Sequence, residues 1–84
     1  MKKFYYVWAP WCGPCKFFAP TIEKLAKTYT VVKINADEPE NKDFMLANNI
    51  LSIPTVLLEK DGKIVHVQVG GKSEQFYIDL YNNF

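Results

Sequence analysis

The stretch Trp8-Ala9-Pro10-Trp11-Cys12-Gly13-Pro14-Cys15-Lys16 decides how this 84-residue chain is read, because it joins two segments of different hydrophobic period. Before it, Lys3 to Trp8 is aromatic and β-branched, a composition that favours a strand. After it, from Gly13 to about Tyr29, Phe18, Ile22, Leu25, Ala26 and Tyr29 recur at spacings of three and four. That is a helical repeat, and Glu23 four residues ahead of Lys27 supports it. Pro20 falls inside this helix, where it removes a backbone donor and predicts a kink. The two cysteines therefore stand at a strand-to-helix junction, within the first helical turn.

That position favours reactive sulfur. A helix N-terminus presents unpaired amides and a partial positive charge, and both stabilise a thiolate over a thiol. A free cysteine with a pKa near 8.5 is only about 3% thiolate at neutral pH. A helix end contributes about 0.3–2 kcal/mol, which lowers a pKa by up to roughly 1.5. Cys12 could thereby come close to half ionised, a value suited to an attacking thiol. Pro14 is harmless in the first turn and stiffens the loop, and Gly13-Pro14 adds no charge, so the pair leans towards reduction.

Three plainer readings compete with this one. A structural disulfide closing so short a loop would gain only roughly 2 kcal/mol in the chain-entropy model, and it would not persist in a reducing compartment. A zinc half-site lacks further ligands, since there is no third cysteine and the one histidine, His66, lies far along the chain. Two inert buried thiols would not be expected at a loop opening a helix.

Outward from the motif the chain reads as alternating elements. Thr30 to Asn35, led by Val31, Val32 and Ile34, is a second strand. Asp37-Glu38-Pro39 is a helix-start signal, opening a helix to about Asn48 that carries Phe44, Met45 and Ala47. Pro54 to Glu59 is a third strand, Asp61-Gly62 a hairpin turn, and Lys63 to Val69 a fourth strand. Gly70-Gly71 ends it, and Ser73 caps a last helix bearing Phe76, Tyr77 and Leu80. The order β-α-β-α-β-β-α predicts a right-handed parallel crossover, an antiparallel hairpin and a four-stranded mixed sheet with helices on both faces.

Composition agrees with one small packed domain over residues 1–84: 49% of residues are hydrophobic and 15% aromatic. A chain this short hides only roughly 60–65% of its unfolded surface. Ten basic and nine acidic residues are scattered, giving a net charge of +1 and no basic stripe, so nucleic acid is not an expected partner. The start, Met1 to Trp8, briefly looks like a signal peptide, but its apolar run is short and meets Pro10-Trp11-Cys12 without a cleavage site. No stretch approaches bilayer-spanning length, so no membrane partner is expected. These features lead us to expect a soluble, cytoplasmic monomer.

With these residues in view, the chain resembles the thioredoxin family along nearly its whole length. The run from Trp8 to Lys16 is very close to the family's active-site signature, and Pro20 falls where the family kinks its helix. Ile53-Pro54-Thr55 matches the segment that in thioredoxins holds a cis-proline opposite the cysteines. Asp61-Gly62 and Gly70 match the hairpin turn and the glycine of the substrate groove. The resemblance implies a thiol–disulfide oxidoreductase, in which an exposed Cys12 attacks a target disulfide and a buried Cys15 resolves the mixed disulfide. It implies a groove formed by Trp11, Ile53, Pro54 and Gly70, and active-site support from Trp11, Gly13, Pro14 and Lys33. It implies no bound cofactor beyond the Cys12–Cys15 disulfide. Its partners would be disulfide-containing proteins and a flavoprotein thioredoxin reductase drawing on NADPH.

Two departures from the family stand out. The chain begins at what would be the family's second strand, without the leading strand–helix unit, which leaves the Thr30–Asn35 strand at an edge. The family's buried aspartate, two residues before the first tryptophan, is replaced by Tyr6, and Lys33 keeps its lysine neighbour. Tyrosine, with a pKa near 10, is no base at neutral pH. Tyr6 is read either as a hydrogen-bonding group near Cys15, with slower resolution expected, or as simple core packing. Elsewhere His66 is expected on the solvent face, opposite Val65, Val67 and Val69. Met45, Phe17 and Phe18 are expected as core or groove wall, Asp37 to Glu40 as helix-start charge, and Trp8 beneath the site. Two other functions remain open: a glutaredoxin-like reductase recharged by glutathione, against which Gly13-Pro14 argues, and a binding module with incidental redox chemistry.

Overall fold

The computed structural model describes residues 1–84. Its elements are β1 (Lys2–Trp8), α1 (Gly13–Ala26), β2 (Val31–Asn35), a 3₁₀ turn (Pro39–Asn41) running into α2 (Lys42–Ala47), β3 (Thr55–Lys60), β4 (Lys63–Val69) and α3 (Glu74–Asn83). The sheet order is β2-β1-β3-β4. β1 runs parallel to β2 and antiparallel to β3, and β3 is antiparallel to β4. This is the mixed sheet expected, with β2 on an open edge.

Alternation along β1 sends its side chains to two different cores. Phe4 and Tyr6 join Val56 and Leu58 of β3, Phe18, Ile22 and Leu25 of α1, and Tyr77 of α3 in one buried cluster. Phe4 lies at its centre, with the rings of Tyr29, Tyr77 and Tyr81 within 6.1 Å. On the other face Val7 packs with Ile34 and Leu57, flanked by half-buried Phe44, Met45, Ile50 and Ile53. Helices thus cover both faces, unequally.

Several boundaries differ from expectation for local reasons. α1 stops at Ala26 instead of Tyr29, because the amides of Lys27 and Thr28 turn back to the carbonyls three residues earlier. Tyr29 leaves the helical path, and its ring packs on Phe4 and Tyr81. The second helix is two pieces, and no side chain caps the N-terminus of either one. It ends as Asn49 takes φ +56 while the amides of Asn49 and Ile50 bond to Leu46 and Met45. This is the paired-bond helix stop in which asparagine can substitute for glycine. The third strand begins at Thr55, one residue after the expected Pro54.

The β3–β4 turn holds Asp61 and Gly62 at φ +51 and +84, the backbone of a tight hairpin turn. Past it, the register changes: Glu59 faces Ile64, but Leu58 faces His66, so Val65 is an extra residue. That bulge inverts the alternation along β4. The expectation for His66 is therefore corrected. It is half-buried, bonded to Gln68 and beside the Phe84 ring. Val67 and Val69, expected inside, are 45% and 57% exposed. No helix is long and apolar enough to cross a membrane.

Candidate active site

β1 delivers the chain to the site at Trp8. The Cys12 amide turns back to the Ala9 carbonyl at 3.1 Å, and Cys12 takes an extended backbone (φ −82, ψ 107) as the N-cap of α1. Its sulfur accepts the Cys15 amide hydrogen at 3.2 Å, the position a serine or aspartate oxygen usually fills. Pro14 stands within the first turn, where its missing hydrogen leaves nothing unpaired. Cys12 and Cys15 are joined as a disulfide, with Cα atoms 5.2 Å apart.

Both sulfur-bearing residues are covered, Cys12 at 4% exposure and Cys15 at 3%. The expectation that Cys12 is open to solvent is not met in this oxidised state. Trp8, Ala36 and Ile53, from three separate segments, close around Ala9, Cys12 and Cys15. Exposure does not distinguish the cysteines here, but their surroundings do. Cys12 lies between exposed Trp11, Gly13 and Pro14 and receives an amide hydrogen bond, whereas Cys15 borders a cavity that opens to solvent past Lys16, Glu23 and Lys33.

That cavity, of about 260 Å³, is lined by Tyr6, Trp8, Ala9, Pro10, Cys15, Lys16, Ala19, Ile22, Glu23 and Lys33. The Tyr6 hydroxyl donates to the Cys15 carbonyl at 3.4 Å, and its ring meets Phe18 edge to face. Tyr6 is thus a core residue whose hydroxyl also reaches the Cys15 backbone. Burial raises its hydroxyl above the ordinary tyrosine range. Lys33 reaches the same cavity from β2 and is paired with Glu23 of α1 at 2.5 Å. Trp8 lies beneath the site as expected, with its indole Nε1 buried and without a hydrogen-bond partner in the protein.

On the opposite side, Trp11, Ala36, Met45, Ile50, Leu51, Ser52 and Ile53 line a mostly apolar cleft of about 380 Å³. Trp11 is 67% exposed, and its Nε1 donates to both Asp37 oxygens at 2.9 and 3.0 Å. The Ile53-Pro54 bond is cis, as expected. Pro54 itself is buried, and its carbonyl accepts the Gly70 amide at 2.9 Å. Gly70 takes φ +83 with open space around it, so its backbone angle and not crowding favours glycine. Ile53 makes no hydrogen bond to the rest of the backbone. Met45 is groove wall and Phe18 is core, but Phe17 is 90% exposed and belongs to neither.

Two residues at the site, Asp37 and Glu23, read in the sequence as ordinary surface charge. Asp37 reads as helix-start charge, and only the fold brings it to Trp11. Glu23 reads as a partner for Lys27. A further signal for Glu23 does exist, because Cys15, Ala19 and Glu23 are each four apart and fall on one stripe of α1.

The sequence profile of the family described as "Thioredoxin" matches residues 3–81. The chain belongs to the thioredoxin family. It is similar to the thioredoxin of Bacillus subtilis (strain 168), 42% identical over 79 residues that cover 89% of this chain and 74% of that one. It is also similar to thioredoxin 1 of Synechococcus elongatus, 45% identical over 67 residues, or 75% of this chain and 61% of the relative. Among solved structures, a mutant thioredoxin from Halobacterium salinarum NRC-1 superposes with a TM-score of 0.88 at 33% identity, covering 99% of this chain and 74% of that one. With this thioredoxin fold and the Cys12–Cys15 pair, the chain is a thiol–disulfide oxidoreductase, a protein-disulfide reductase by family.

Proposed function

We propose that this thioredoxin reduces protein disulfides generally, with Cys12 as the attacking sulfur and Cys15 as the resolving one. The observation that carries the assignment is the Cys12 sulfur acting as the N-cap of α1, where it already accepts an amide hydrogen bond. The thiolate released on reduction keeps that donor and the helix end. It attacks a target disulfide, the target's far sulfur leaves as a thiolate, and Cys15 then displaces the second target sulfur to restore the Cys12–Cys15 bond. Gly13 and Pro14 keep the loop short and uncharged. Lys33 supports the Cys15 side through the cavity.

Target segments dock in the cleft beside Trp11 and Ile53, with Pro54 behind and Gly70 alongside. The unused backbone groups of Ile53 support this reading, because they remain available for strand-like pairing. The disulfide is recharged by a flavoprotein thioredoxin reductase that draws on NADPH, and the protein works as a cytoplasmic, monomeric electron carrier. Insulin-disulfide reduction, measured first with NADPH and thioredoxin reductase and then with glutathione and glutathione reductase, tests the proposal. Turnover with the first system is expected. Turnover only with the second points to a glutaredoxin-like cycle, and turnover with neither leaves a binding module. A Cys15→Ser variant is expected to retain targets as mixed disulfides through Cys12.

A further inference from the structure

Resolution by Cys15, in the roles just proposed, requires its thiol to lose a proton. Few groups stand where they could take it. The polar side chains lining the cavity beside Cys15 are Tyr6 from β1, Lys33 from β2, and Lys16 and Glu23 from α1, with the Trp8 indole edge. Tyr6 stays protonated at neutral pH, and the two lysines arrive as ammonium groups with no free lone pair. Asp37 is held by Trp11 on the other side of the loop, and His66 is on β4, bonded to Gln68. The geometry points to Glu23 as the proton acceptor for Cys15, acting through solvent in the cavity and positioned there by Lys33.

The arrangement suits a relay. Two turns of α1 separate Cys15 from Glu23, roughly 12 Å along the axis. Helical side chains lean towards the N-terminus, which inclines the carboxylate towards the sulfur. Ala19, the residue between them on the stripe, is small and leaves the space open. A cavity of about 260 Å³ has room for several waters at roughly 30 Å³ each. The buried Trp8 Nε1, lacking a protein partner, and the Tyr6 hydroxyl offer polar anchors along the way. Lys33 holds the Glu23 carboxylate at the mouth.

In the step itself the Cys15 S–H proton passes through water to the Glu23 carboxylate. The Cys15 thiolate attacks the Cys12 sulfur, the Cys12–Cys15 bond forms, and the bond from Cys12 to the target breaks. The target leaves as a thiolate and takes a proton from solvent. The two cysteines are oxidised by two electrons, and the target disulfide is reduced by the same two. Glu23 ends protonated and returns its proton to solvent, so nothing further is consumed.

Rapid mixing of the reduced protein with a disulfide-bonded peptide separates mixed-disulfide formation from its resolution. Glu23→Gln is expected to leave formation unchanged and to slow resolution about tenfold near pH 7. That is less than the roughly 100-fold of a directly bonded base, because water alone still takes the proton. Its resolution rate should then climb with pH, following ionisation of the Cys15 thiol alone. Asp61→Asn, at the β3–β4 turn beside Met1 and so at the other end of β1 from Trp8, removes the same charge and should change neither step. Equal resolution rates and pH profiles in wild type and Glu23→Gln overturn the role of Glu23 while leaving the Cys12 and Cys15 roles intact. Equal slowing of both steps also overturns it, because that marks a general field effect. A wild-type protein that forms no mixed disulfide overturns the assigned cysteine roles and this relay together.

Discussion

The two faces of the sheet are built to different densities. Beneath α1 and α3, eight buried residues form one cluster, and a 14-residue and a 10-residue helix seal it. Beneath α2, a six-residue helix with no buried residue of its own covers a cluster of three. The cysteines form a small cluster of their own with Ala9 between the two faces, and Cys15 is anchored to the dense side, since it rides on α1 and Tyr6 ties its carbonyl to β1. The recognition cleft belongs to the thin side, where Met45, Ile50 and Leu51 form its wall. Bond exchange needs sulfurs held in place, whereas docking varied partners needs apolar surface that is not already used up by packing. The difference shows how one sheet can serve both.

The sharpest way to break this comparison is to empty one face and then the other. Phe4→Ala, at the centre of the dense cluster, is expected to cost about 3–5 kcal/mol, read from urea unfolding. If the loss is below about 1 kcal/mol, the two faces are not energetically distinct. Next in size is an alkaline effect at Tyr77, which is fully buried and pushed up to about 12 by burial. Above the ordinary value near 10 the unfolded chain gives up this proton while the folded chain keeps it. Stability from this residue is therefore complete at neutral pH and drains away as pH rises from about 10 to 12. The loss is about 2 kcal/mol, and comparing unfolding of wild type and Tyr77→Phe across that window isolates it.

The thin face should respond less. Phe44→Ala, half-buried on α2 and packed on Tyr5, is expected to cost about 1 kcal/mol. Leu51→Ala should change stability by less than about 0.5 kcal/mol, because Leu51 is 90% exposed. It should nevertheless raise KM for insulin severalfold with kcat held. A stability loss without a change in KM would place Leu51 in the fold and not in the cleft.

What is legible in the sequence follows the same division. The junction at Trp8–Lys16 can be read because the hydrophobic period changes there, and periodicity is local. The element order and the mixed sheet can be read as well, and the β2 edge follows from the resemblance to the thioredoxin family. The face of β4 cannot be read this way, because one extra residue at Val65 inverts it, and that insertion is set by pairing with Leu58. The covering of Cys12 is equally hidden, since Trp8, Ala36 and Ile53 converge on it from three segments. Asp37 and Glu23 carry ordinary surface charges in sequence. Only the contact with Trp11 across the fold gives Asp37 a place at the site, whereas Glu23, held by Lys33, also lies on the stripe of α1 that carries Cys15.

The two tryptophans of this chain, Trp8 and Trp11, both flank the dithiol loop. Indole emission from the unlabelled protein therefore originates at that one corner and nowhere else. With Trp8 Nε1 buried and Trp11 67% exposed, the two are expected to emit towards the blue and the red respectively. The molecule thus carries an optical gauge of its own sulfur chemistry, with the rest of the sheet dark to it.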